Sequence, residues 1–89
     1  MYVEELSSII EDEYDFVLRN IPIYSKRNRL VGEIDLMGIK DDKIDVYEVK
    51  CSHRIVKAQK QLKKIKKYYK DKVRNTFFFC GESGALLSV

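Results

Sequence analysis

Cysteine is scarce in this chain of 89 residues. Cys51 and Cys80 are too few for a disulfide framework and lack the CxxC spacing of a zinc site, so both are read as small apolar residues. Glycine and proline are scarce too, and with no internal repeat this excludes a linker region and a solenoid. Long apolar runs are missing. The first fifteen residues, MYVEELSSIIEDEYD, are acidic and hold no signal-type apolar stretch, and nothing approaches membrane-spanning length. The expectation is one domain over residues 1–89, intracellular (cytoplasmic), with no membrane contact. Its core will be small, so each buried polar residue is costly.

Acidic residues are nearly absent from about a quarter of the chain. Residues 51–74 carry ten Lys or Arg against Asp71 alone, whereas the remainder carries seven against thirteen acids. Such a division points to a basic surface for a polyanion, set apart from an acidic feature with its own task.

Val3, Leu6, Ile10, Tyr14 and Val17 recur at spacings of three and four and predict a helix over residues 2–18. Pro22 follows it, and IPIYSKRNRLV reads as an irregular extended strand whose basic tip, Lys26, Arg27 and Arg29, is solvated. Residues 32–39 and 43–51 alternate with period two around the polar turn KDDK, giving two antiparallel strands. Ile55, Ala58, Leu62, Ile65, Tyr69 and Val73 predict a second helix over 54–73 with lysines on its other side. NTFFFC is then a strand buried on both faces. A strand, helix and strand form a right-handed crossover, so this last strand lies parallel to residues 43–51. The expected order is α-β-β-β-α-β, an α/β fold with a mixed four-stranded sheet flanked by two helices.

The charges inside the best strands need a reason. Residues two apart in a strand share a face, which sets Glu33 beside Asp35 and Glu48 beside Lys50 on neighbouring strands. Facing carboxylates repel unless a positive charge lies between them, and a divalent cation with hard oxygen ligands answers that need. A lysine beside such a metal stabilises developing phosphorane charge. Together with the basic helix, this chemistry is metal-assisted phosphodiester hydrolysis on nucleic acid.

The stretch GEIDLMG…VYEVKCS resembles the D-x(n)-E-x-K core of the restriction-endonuclease-like nuclease superfamily, above all its small archaeal Holliday-junction resolvase-like members. The resemblance covers roughly residues 2–80 and implies that family's minimal core. It implies Asp35 and Glu48 as metal-binding carboxylates, the Val49 carbonyl as a further ligand, Lys50 as the catalytic lysine and Mg2+ (or Mn2+) as cofactor. Members of the family add a glutamate from the first helix, for which Glu5 or Glu4 is the candidate, and some add a glutamine from the second, for which Gln61 is closer than Gln59. The substrate implied is DNA, branched or structured by analogy, and the unit is expected to be a homodimer. Arg54, Lys57, Lys60, Lys64 and Lys67 are the expected phosphate contacts, and His53 is structural or phosphate-contacting.

Plainer readings stand beside these. A hairpin bearing acids and lysines also describes a solvated sheet face. The basic helix alone describes a non-catalytic nucleic-acid-binding module, and the short N-terminal region an accessory subunit with a degenerate nuclease fold.

Overall fold

The computed structural model describes residues 2–50 and 55–89, so the expectations for Cys51, His53 and Arg54 fall outside it. Helix α1 spans Tyr2–Ile10 and is followed by a 3-10 turn at Glu11–Glu13. The periodicity had carried this helix to residue 18. It stops early because three successive acids stand at its carboxyl end, where the helix dipole disfavours negative charge, and Tyr14 turns the chain extended (φ −126°, ψ 154°). Tyr14 and Val17 still pack with Leu6 and Ile10, which is why counting along a helix included them.

Strand β1 is Phe16–Tyr24, β2 Leu30–Lys40 and β3 Lys43–Lys50. The segment expected as one irregular strand is therefore the two arms of a hairpin. Pro22 is accommodated because β1 is an edge strand. Asp41 and Asp42 both take positive φ (51° and 64°), the backbone a two-residue hairpin turn demands, and they join β2 to β3. Helix α2, Ile55–Tyr69, ends before the expected residue 73, where Lys70 goes left-handed (φ 54°) and β4 begins, Val73–Cys80.

Strand β4 lies parallel to β3, as the crossover requires. The four-strand expectation is corrected by β5, Ala85–Ser88, which a turn at Gly84 (φ 72°) folds back antiparallel to β4. The result is an α/β fold with a mixed five-stranded sheet, ordered β1-β2-β3-β4-β5. Among the described residues no helix is long and apolar enough to cross a membrane.

The two helices cover opposite faces of the sheet. Leu62 and Ile65 of α2 pack on Ile23, Ile34, Met37, Ile44 and Val46, while Leu6 and Ile10 of α1 pack on Leu36, Tyr47 and Phe79. Tyr14, after the 3-10 turn, and Tyr2 of α1 are each seated on a glycine. A Cβ on Gly38 would lie 2.6 Å from the Tyr14 ring, and one on Gly81 would lie 2.3 Å from that of Tyr2.

On the α1 face one buried acid is fully partnered. Asp45, 3% exposed, accepts from Tyr14 Oη at 2.6 Å, from the Arg74 guanidinium at 2.9 and 3.2 Å, and from Asn75 at 3.2 Å. Burial pushes its pKa up, but the bonds from Arg74, Tyr14 and Asn75 outweigh this and hold it below the ordinary value of 3.8. A depressed carboxyl pKa contributes stability above the unfolded-state value that is lost as pH falls through the folded one. The thermal midpoint is therefore expected to drop steeply below about pH 4 in the wild type and less steeply in Asp45→Asn, with Arg74→Ala less stable than wild type near neutrality. A melting series from neutral to strongly acidic pH checks both, and superimposable wild-type and Asp45→Asn acid profiles would remove the network from the stability account.

Candidate active site

Strands β1 and β2 change sides together partway along their length. On β2, Leu36 and Gly38 face α1, whereas Gly32 and Ile34, of the same parity, face α2. On β1, Val17 faces α1 and Ile21 and Ile23 face α2. The exchange occurs where Asn20, left-handed at φ 52°, stands between the pairs Arg19–Leu36 and Ile21–Ile34. Asn tolerates that backbone better than most residues. The consequence is that Ile34 enters the α2 core and its neighbour Asp35 also lies on the α2 side, lining a cleft.

Across from it, β2 pairs with β3 as far as Leu36–Tyr47, and Asp35 and Glu48 occupy the next rung. The ladder opens there. The Val49 N–H donates to Asp35 Oδ2 at 2.9 Å instead of to a strand carbonyl. Both backbone groups of an extended residue leave the same strand edge, so the Val49 carbonyl projects on the side of Asp35.

Glu48 is the most unusual residue of the chain. It is 3% exposed; Oε1 pairs with Lys50 Nζ at 3.0 Å, and Oε2 is buried with no hydrogen-bond partner. Burial pushes its pKa up to about 7, the Asp35 carboxylate adds to the rise, and the Lys50 ammonium only partly offsets it. An orphaned buried carboxylate oxygen beside a second carboxylate suits the hard-donor chemistry of a divalent cation.

The cleft, about 410 Å³, is walled by Glu33, Asp35, Glu48 and Lys50 from the sheet and by Lys57, Lys60, Gln61 and Lys64 from α2. Those four helix positions follow i, i+3, i+4 and i+7, one stripe along α2. Lys67 is exposed and continues that stripe a turn further, outside the cleft lining. Gln59 lies elsewhere, against a small cavity with Leu62, Lys63 and Thr76. Gln61 donates to the Glu33 carbonyl at 3.2 Å, lying over Gly32, where a Cβ would come within 2.7 Å of its amide nitrogen.

The structure thus brings together Asp35, Glu48, Lys50, the Val49 backbone and Gln61, with three of the expected lysines. It leaves Glu4 and Glu5 exposed on α1 and outside the cleft lining. Glu33, exposed, lines the same cleft as Asp35, and its carbonyl takes the Gln61 bond. Among the described residues no group of three His, Cys, Asp or Glu forms a metal-binding cluster. The oxygens available to a cation are those of Asp35 and Glu48 and the Val49 carbonyl, hard donors that suit Mg2+ or Mn2+ with solvent or phosphate completing the shell.

The partnered Asp45 is the residue that reading by pattern passed over. It lines a larger cavity of about 540 Å³ on the α1 face with Tyr14, Tyr47, Arg74 and Phe77. Its only signal in the sequence was an acid sharing a strand face with Tyr47. Compared with known proteins, the chain matches no family model and no curated protein.

Proposed function

We propose that the protein is a Mg2+- or Mn2+-dependent DNA endonuclease built on a restriction-endonuclease-like core. The observation that carries this reading is the buried, unpartnered Oε2 of Glu48, set beside Asp35 and Lys50 in a cleft walled by Lys57, Lys60 and Lys64. A bound divalent cation supplies Lewis-acid activation of water and neutralises the scissile phosphate. Asp35 and Glu48 would hold it, with the Val49 carbonyl as a further ligand, and the Val49 N–H to Asp35 bond fixes the aspartate's rotamer. Lys50, its side chain 38% exposed, keeps its ammonium at the cleft surface, where it stabilises charge developing on the phosphoryl oxygens. The α2 lysines take neighbouring phosphates without reading bases. One unit carries one such site, so cutting both strands of a duplex calls for two copies, and a homodimer is the simplest arrangement.

The test is incubation with labelled duplex, single-stranded, flapped and four-way DNA in Mg2+, Mn2+ or EDTA. Cleavage of at least one substrate, abolished by EDTA, is expected, together with a rise in thermal midpoint at millimolar metal as the cation relieves the carboxylate repulsion. Neutralising Lys57, Lys60, Lys64 and Lys67 should weaken binding and flatten the log–log salt slope by about 0.9 per lost phosphate contact. The convergence of only two carboxylates favours a second reading, a non-catalytic nucleic-acid-binding module or accessory subunit. Binding with full salt dependence but no cleavage in any metal would decide for it.

A further inference from the structure

Apart from the lysines of α2 and the turn after it, cations gather at the tip of the β1–β2 hairpin. From Phe16 to Gly32 the chain has Arg19, Lys26, Arg27 and Arg29 and no acidic residue. Lys26, Arg27 and Arg29 are all exposed, and the ion pairs among the described residues, Glu48–Lys50 and Asp45–Arg74, involve none of them. The turn that presents them is held by its own hydrogen bonds. Ser25 N–H donates to the Arg29 carbonyl at 2.8 Å and Asn28 N–H to the Ser25 carbonyl at 2.9 Å. Ser25 Oγ accepts from the N–H groups of Arg27 and Arg29, each at 3.3 Å. These are the ordinary closing bonds of a hairpin turn, and they hold the three cations on one loop.

The direction of the tip follows from the exchange of sides at Asn20 and Asp35. The outer half of the hairpin packs under α2 through Ile23 and Ile34, and Gln61 bonds its Glu33 carbonyl. Because the β2–β3 ladder closes at Leu36–Tyr47, the hairpin runs on past the end of the sheet that carries Glu48 and Lys50. Six residues separate Arg29 from Asp35, which at about 3.3 Å per residue is about 20 Å. Along a duplex of about 3.4 Å per base pair, that distance covers about six base pairs.

Resting on the endonuclease reading of the cleft, we infer that the hairpin tip is a second phosphate-gripping element. It holds the duplex arm on one side of the cleavage position, about six base pairs away, so the substrate is double-stranded there. Lys26, Arg27 and Arg29 contact its phosphates, and the half-exposed Tyr24 beside them packs on the sugar edge.

The test compares wild type, Lys26→Ala/Arg27→Ala/Arg29→Ala and Ser25→Ala by fluorescence anisotropy in EDTA, on a duplex and on one of its strands. The triple variant, with an unchanged melting curve, should lose about tenfold or more in duplex affinity, and its salt slope should fall by between two and three. Its loss on the single strand should be much smaller. Ser25→Ala keeps every charge and should lose severalfold on the duplex. Unchanged duplex affinity and slope in the triple variant, or an equal loss on the single strand, overturns the grip. The α2 lysine variant run in parallel separates the two readings: loss there without loss at the tip discards the tip alone, and no duplex binding by the wild type discards both.

Discussion

Lys50→Ala is expected to bind metal and DNA as the wild type does while cleavage falls about a hundredfold or more, the usual scale for deleting a group that stabilises transition-state charge. The lysine supplies no ligand to a cation; it supplies a positive charge at the cleft surface. Because it also lowers the Glu48 pKa, the comparison belongs across a series of alkaline pH values, so that loss of the lysine's charge is separated from a change in Glu48 ionisation. Asp35→Asn and Glu48→Gln keep shape and remove ligand charge, so each should lose metal-induced stabilisation and cleavage together. Glu33→Gln, which lines the cleft but has no assigned ligand or catalytic role, should change much less. Single-turnover cleavage and metal-dependent melting of the four variants read this out. Equal modest losses throughout would describe a generic charged face, and full activity in Lys50→Ala would end the assignment of a nuclease site to this motif.

Glu48→Gln carries the largest expected effect on stability, and its sign is opposite to that of most core substitutions. A carboxyl whose folded pKa is about 7 against an ordinary 4.5 destabilises the metal-free fold progressively as pH rises between those values, and fully above about 7. The size is on the order of 3 kcal/mol at 1.36 kcal/mol per unit. The neutral amide escapes this cost, although it gives up the ion pair with Lys50. Without metal at about pH 8, Glu48→Gln should therefore melt above wild type, whereas near pH 4 the two should converge. With millimolar Mg2+ or Mn2+ only the wild type should gain. Metal binding and cleavage should likewise rise with pH through about 7, as the Glu48 proton ceases to compete. A less stable Glu48→Gln across the whole pH range would mean that the carboxylate is satisfied in the fold and is not waiting for a cation.

The parts of this molecule legible in the sequence are those set by local periodicity. The β2–β3 hairpin, the basic amphipathic α2 and the parallel return of β4 all follow from apolar spacing and one crossover rule. What was not legible depends on long-range partners. Helix α1 was overextended because Tyr14 and Val17 keep the apolar spacing while leaving the helix, their side chains reaching the same core from extended backbone. Strand β5 is short, with Leu86 and Leu87 partly exposed, and it has no pattern before β4 gives it an edge to pair with. In the site, Asp35, Glu48 and Lys50 were readable as a motif. The entry of Ile34 into the α2 core beside Asp35 was not, because strict alternation takes no account of a strand that changes sides.

That change of sides ties the chemistry to the scaffold in a way that bears on how such a chain can evolve. Asp35 is directed into the cleft by apolar commitments on both faces, Ile21, Ile23 and Ile34 beneath one helix and Val17 and Leu36 beneath the other. A one-residue slip between the arms would send both sets to the wrong face at once. The position of the acid is thus inherited with the core, whereas its charge is not. Descendants that exchange Asp35 or Glu48 for neutral residues keep every apolar constraint and shed an electrostatic penalty, so loss of activity is the easy path and loss of fold the hard one. Inactive copies of this architecture should outlast the selection that shaped their clefts.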